Sequence, residues 1–350
     1  MRVLLHPNRR SQKVMAKPRA ASGFDFPTSL VGTSKWIGSD GKPVIVYYDP
    51  ASSAAGQSDA QYVLTHIDDL MNSCDYWFGV KGHGGNVIVA DLPGHPEGGA
   101  YHYGCDFSSG GTWYEDQEGN QMTLGLVMAE VTESYMGLAA KGWNCGGSGG
   151  EALSRVLAEV ATGGANGSMA AYASGPSWDG TDWISKDQGT DQDYPSIACS
   201  VLYLWWMVKQ GHTLDKIVQA GEPNGTLASN YAALTGKPAM QAFSDFQAAI
   251  NSIGGISAIK GDNPWGAVTP AYPAGSGAPP VCPAGQHWDP VQQKCVPDQG
   301  PPTPSGMTIA DVTKALGEVG ISHNIYDRFS AMHLLQSRAL ALQLAKDGWK

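Results

Sequence analysis

The segment LVMAEVTESYMGLAAKG, residues 126–142, constrains this chain more than any other stretch. Helical spacing gathers Leu124, Val127, Met128, Val131 and Tyr135 into one apolar stripe. Leu126, Ala129 and Met136 make the far side apolar as well, and Glu130 and Glu133 stand on that far side. A helix apolar on most faces belongs inside a domain, so other elements must wrap around residues 122–141. The two carboxylates then either reach solvent or are paired, protonated or turned into a polar cleft, because burying a bare charge is costly.

The flanking sequence supplies the wrapping. PVIVYYD (43–49) and NVIVADL (86–92) are β-branched runs that predict strands, and AYHYGCDF (100–107) predicts a third. Between the first two, residues 58–79 place Val63, Ile67, Leu70, Met71, Cys74 and Phe78 at helical spacing, with Ser58 as the expected N-cap. After the central helix the pattern predicts helices near 149–162, 196–210, 213–220, 226–235 and 238–253. A strand-rich N-terminal lobe followed by an all-helical C-terminal lobe defines an α+β fold. The 350 residues suit one large domain with attachments. The divisions are a basic flexible tail (1–22), the main domain (23–266), a Pro/Gly-rich linker (267–306) and a C-terminal helical piece (307–350).

Charge and cysteine usage narrow the function classes. A net charge of −10 argues against a nucleic-acid partner. Arg2, Arg9, Arg10, Lys13, Lys17 and Arg19 are confined to the tail. The longest apolar run, IACSVLYLWWMV (197–208), is too short to span a bilayer and reads as a buried helix. The N-terminus lacks the apolar core of a signal peptide. None of the six cysteines forms a C-x-x-C pair, which disfavours a zinc ribbon or thioredoxin motif. CPAGQHWDPVQQKCVP (282–297) resembles short disulfide hairpins of bacterial and phage extracytoplasmic proteins. A Cys282–Cys295 bridge there would stabilise by roughly 3 kcal/mol and imply an extracellular, cell-surface or virion setting. Cys105 and Cys145 flank the central helix as a second candidate pair.

The element order around the central helix resembles the gluzincin branch of the zincin metallopeptidases. In that family a His-Glu-x-x-His helix is followed by a second helix opening on a glutamate. The two histidines and the second glutamate bind zinc, and the first glutamate is the general base. Here the first ligand position falls on Ala129, the base on Glu130, the second ligand on Glu133, and the third on Glu151 in GEALS, at the family's usual separation. GGEALSRVLAE and SIACSVLYLWWMVKQGHTLDKIVQA also resemble segments of bacterial proteins with this layout. The resemblance covers roughly residues 40–255 and implies a zincin-like fold. It departs from the motif at Ala129 and Glu133, which implies a pseudoenzyme without working zinc chemistry.

Three function classes follow. The first is a catalytically degenerate metallopeptidase-like protein, acting as a binding or structural component of a larger assembly and needing no cofactor. The second is an active metal-dependent hydrolase with Glu130 as base and Glu133 and Glu151 as ligands. That oxygen pair suits Ca²⁺ or Mg²⁺ only with further ligands. His83, His95 and His102 precede the helix and are candidates to reach a cleft. The third is a carbohydrate-binding or carbohydrate-cleaving protein, using the glutamates with Trp113, Tyr114, Trp143, Trp178 and Trp183. The acidic run 179–195, with Asp179, Asp182, Asp187, Asp191 and Asp193, lacks EF-hand spacing and reads as a loop. The 307–350 piece carries Ile325, Phe329, Met332, Leu335, Leu340, Leu342 and Leu344, more than two short helices bury alone. It is expected to dock on the main domain, self-associate into a homo-oligomer, or bind a protein partner.

Overall fold

The computed structural model describes residues 28–91, 99–107, 111–116, 118–163, 173–190, 192–266, 286–289 and 294–297. The basic tail, the 307–350 piece, His95, Asp191 and Cys282 lie outside the described residues, and so does the expected Cys282–Cys295 bridge. Strands β6 (Gln286–Asp289) and β7 (Lys294–Pro297) pair as a two-stranded ladder, and Cys295 lies in the second.

The rest is α+β. Strands β1 (Ser29–Ile37), β2 (Pro43–Tyr48), β3 (Gly85–Ala90), β4 (Ala100–His102) and β5 (Thr112–Asp116) form one sheet in the order β1-β2-β3-β5-β4. β2, β3 and β5 run parallel, while β1 and β4 are antiparallel to their neighbours. Val44, Val46, Val87, Val89, Ala100 and Trp113 are fully buried in the main hydrophobic core. Ile88 and Ala90 are buried in a second small cluster with Tyr47 and Tyr101. β3 therefore has no solvent face, which explains its unbroken apolar run.

Helix α1 (Ala54–Phe78) joins β2 to β3. Ser53 caps it, its hydroxyl accepting from the Ala55 amide at 3.3 Å. Ser58, the cap expected from sequence, lies inside the helix. The helix ends at Gly79 with φ 66°, a left-handed conformation that glycine adopts without penalty. Asp75 near that end holds three elements together. It accepts hydrogen bonds from Trp36 Nε1 (2.8 Å), the Gly82 amide (2.9 Å) and Tyr135 Oη (2.6 Å), and pairs with Lys81 at 2.7 Å.

Helix α2 (Asn120–Ala139) is the expected central helix, and it is buried without a break from Thr123 to Met136. Asp59 on α1 caps its start, accepting from the Gly119 amide at 3.0 Å and Thr123 Oγ1 at 3.1 Å. Helices α3 (Ser148–Ala161) and α4 (Tyr194–Lys209) pack beyond it, followed by α5 (Leu214–Gln219), α6 (Leu227–Thr235) and α7 (Ala242–Ser252). Among the described residues, no helix is long and apolar enough to cross a membrane.

One strand expectation is corrected and two strands are added. The run 100–107 is strand only over Ala100–His102 and then turns. β1 and β5 are strands that the sequence pattern does not announce.

Candidate functional site

β4 pairs antiparallel with β5, with Ala100 opposite Glu115 and His102 opposite Trp113. Alternation puts Ala100, His102, Trp113 and Glu115 on one face of the sheet. That face meets α2, since Trp113 Nε1 donates to Ser134 Oγ at 3.0 Å. Glu130 and Glu133 are three residues apart on α2 and therefore neighbours on its surface. Both meet the His102 ring. Nδ1 lies 2.6 Å from Glu130 Oε2 and 3.8 Å from Glu133 Oε2. His102 is 3% exposed, Glu130 0% and Glu133 1%. A contact of 2.6 Å between ring nitrogen and carboxyl oxygen needs one proton between them, carried by His102 Nδ1 or by Glu130 Oε2. This contact offsets part of the cost of burying the carboxyl groups.

A disulfide closes the edge of the cluster. Cys105, three residues after His102, is bonded to Cys145 in the turn between α2 and α3, with Cα atoms 5.5 Å apart. The strand-exit loop is also held directly to α2, where the Gly137 amide donates to the Cys105 carbonyl at 2.8 Å. Gly137 lies one turn beyond Glu133, and a Cβ there would overlap that carbonyl oxygen. Gly137→Ala is expected to force the loop off the helix and cost about 1–3 kcal/mol, read as a shifted denaturant midpoint.

Among the described residues, the four zincin motif positions are not brought together as one ligand group. Ala129 is fully buried and offers no donor atom. Glu151 sits in the first turn of α3 at 1% exposure. Its spacing places it on one helix face with Arg155 and Glu159, both also 1% exposed. The described ligand-type side chains that the fold does gather are His102, Glu133 and Cys145, with one donor atom from each within 4.8 Å of the others. Neither Glu130 nor Glu151 belongs to that group. This group is a mixed nitrogen, oxygen and sulfur set, which the sequence motif did not single out. His102 was one of three candidate histidines, and only strand register distinguishes it. His83 instead packs its ring 5.2 Å from Phe107.

The aromatic candidates for sugar stacking are mostly structural. Trp113, Trp143 and Trp178 are buried, and their indole N–H groups donate to Ser134 Oγ, the Val218 carbonyl and the Thr181 carbonyl. Trp183 is half-buried, with Lys186 Nζ 4.2 Å from its ring centroid. Trp183 and Lys186 line a surface cleft with Trp143, Asn144, Asp187 and Glu222. His102, Glu130 and Glu133 are not among the residues that line it. The acidic run supplies caps. Asp187 accepts from Ser148 Oγ and the Gly149 amide at the start of α3, and Asp193 caps α4.

No protein-family model matches the chain, and neither the curated proteins nor the solved structures provide a match.

Proposed function

We propose that residues 28–266 form a zincin-like domain whose peptidase site is degenerate, and that the protein acts as a binding or structural component of an extracellular, cell-surface or virion assembly. One observation carries this reading. The first-ligand position, Ala129, is packed inside the core, while the would-be base Glu130 is fully buried and engaged by His102 at 2.6 Å. A general base must reach the water or group it deprotonates. A hydrolytic metal needs several protein ligands and an open position. Neither condition is met by Ala129, Glu130, Glu133 and Glu151. The order of strand-rich lobe, central helix, glycine-rich turn and second helix supports the zincin-like part of the reading. The Cys105–Cys145 bond supports an oxidising setting, where disulfides persist. The buried histidine–glutamate cluster then serves as a lock between β4 and α2.

The test is peptide hydrolysis by purified, oxidised protein with added zinc, against a mixed peptide substrate, beside Glu130→Gln. Both proteins are expected to match the blank. Cleavage by the wild type that disappears in Glu130→Gln would overturn the degenerate reading.

A further inference from the structure

We propose that His102, Glu133 and Cys145 form a zinc-type metal site that becomes available when the Cys105–Cys145 disulfide is reduced. This goes beyond the degenerate-peptidase reading and does not rest on it, because none of the three residues is a ligand of the zincin motif in that reading except Glu133.

The geometry is close to what zinc requires. Ligand atoms at zinc bond lengths in a tetrahedron are separated by about 3.3–3.6 Å. One donor atom each from His102, Glu133 and Cys145 already lies within 4.8 Å of the other two. Closing the remaining gap takes side-chain adjustment of about an ångström. Two ligands come from rigid elements, a strand and a helix, and the third from the Asn144–Gly147 turn, where Gly146 and Gly147 follow the cysteine. Imidazole, carboxylate and thiolate together are donors that zinc accepts, whereas Ca²⁺ and Mg²⁺ prefer oxygen alone.

Glu130 gives the site a supporting carboxylate. Its Oε2 lies 2.6 Å from His102 Nδ1, and with the shared proton on the ring a neutral imidazole keeps its lone pair on Nε2 for a metal. Zinc-binding histidines ordinarily have such a partner on the other ring nitrogen. Glu130 is thus a positioning residue in this site and touches no metal.

The sulfur decides when the site exists. Cys145 is bonded to Cys105, and a disulfide sulfur carries no negative charge for a metal. The two states exclude each other. Two equivalents of a thiol reductant deliver two electrons and two protons to the bond. The S–S bond breaks, Cys105 and Cys145 each become a thiol, and the reductant leaves as its own disulfide. Zinc then binds as Cys145 releases its proton to solvent. Cys105 stays in place because the Gly137 amide still holds its carbonyl.

Two single substitutions separate this proposal from general loss of the disulfide. Cys105→Ser and Cys145→Ser remove the same bond, but only the first leaves a thiol at position 145. Zinc content is measured after dialysis against ZnCl₂, with and without a thiol reductant, and Co²⁺ substitution reports thiolate ligation by its charge-transfer absorption. Cys105→Ser is expected to bind one more equivalent of zinc than Cys145→Ser without any reductant. Reduced wild type is expected to bind one more equivalent than oxidised wild type, and His102→Gln in the reduced form to lose it. The Cys145→Ser protein controls for zinc held by Cys282 and Cys295. Equal zinc content in the two serine variants would overturn the proposal. If Cys105→Ser does not fold, the reduced wild type decides, and an unchanged zinc content with no thiolate–cobalt band overturns it.

Discussion

His102→Ala is expected to be among the most destabilising substitutions in the domain, lowering the unfolding free energy by about 3–5 kcal/mol. His102 Nδ1 lies 2.6 Å from Glu130 Oε2 and 3.8 Å from Glu133 Oε2, and all three side chains are at most 3% exposed. Removing it takes from two buried carboxyl groups the imidazole that both now face. Water cannot replace that partner cheaply at such burial. In a domain of this size the loss corresponds to a melting temperature lower by about 6–20 °C. The cause is checked with a double-mutant cycle. His102→Ala/Glu130→Ala should be no less stable than His102→Ala alone, because the second change removes a buried carboxyl group that has lost its imidazole. Losses that simply add would show that the pair is not coupled.

The second large effect is a dependence of stability on pH, set by Glu159. Burial raises its pKa well above the usual glutamate value, and Asp262 pushes it the same way. Arg155 and a hydrogen bond from Trp205 Nε1 at 3.2 Å oppose the shift. Asp262 is itself tied to the backbone, accepting from the Gly175 amide at 2.6 Å. A raised folded-state pKa means the native protein holds a proton that the unfolded chain has already released. Stability is therefore full below the unfolded glutamate pKa and is lost as pH rises towards the folded one. Over that window the expected slope is about −1.4 kcal/mol per pH unit from this group. Glu159→Gln removes the titration. Urea unfolding of wild type and Glu159→Gln across the acidic-to-neutral range should show the two diverging with rising pH, the variant losing less. Parallel curves would show that Glu159 keeps its proton in both states or in neither.

The helical half of the domain was legible in the sequence. The central helix, expected over 122–141, spans Asn120–Ala139, and α3, α4 and α5 each lie within two residues of expectation. Their apolar residues recur at helical spacing, a local signal that needs no partner to be read. The strands were harder. β1 has irregular pairing with register shifts, and Leu30 and Ile37 on it are exposed, so it shows no clean alternation. β5 reads TWYED, and its inward-facing Glu115 breaks the apolar pattern that would announce a strand. α1 begins four residues before the expected cap because Ala54, Ala55 and Gly56 carry no periodicity.

The candidate site divides in the same way. The zincin likeness drew attention to Glu130 and Glu133 and to the missing donor at Ala129, and all three positions lie on the helix where expected. It assigned Glu151 to the same site, and the fold instead gathers Cys145 and His102 with Glu133. The candidate pairing of Cys105 with Cys145 was recognisable only as a flanking pair, since the distance between them depends on how the 103–107 loop lies against α2.

What the sequence determined by itself was the interior place of the central helix, expected over 122–141, and the two carboxyl groups it carries, because a helix apolar on most sides has no stable position at a surface. What only the tertiary structure decided was the partner of those carboxylates. A strand's register sets which alternate side chains face inward, and it depends on pairing with chain that is distant in sequence. In this fold the register of β4 against β5 turns His102 towards α2, and the loop that follows brings Cys105 to Cys145 beside it.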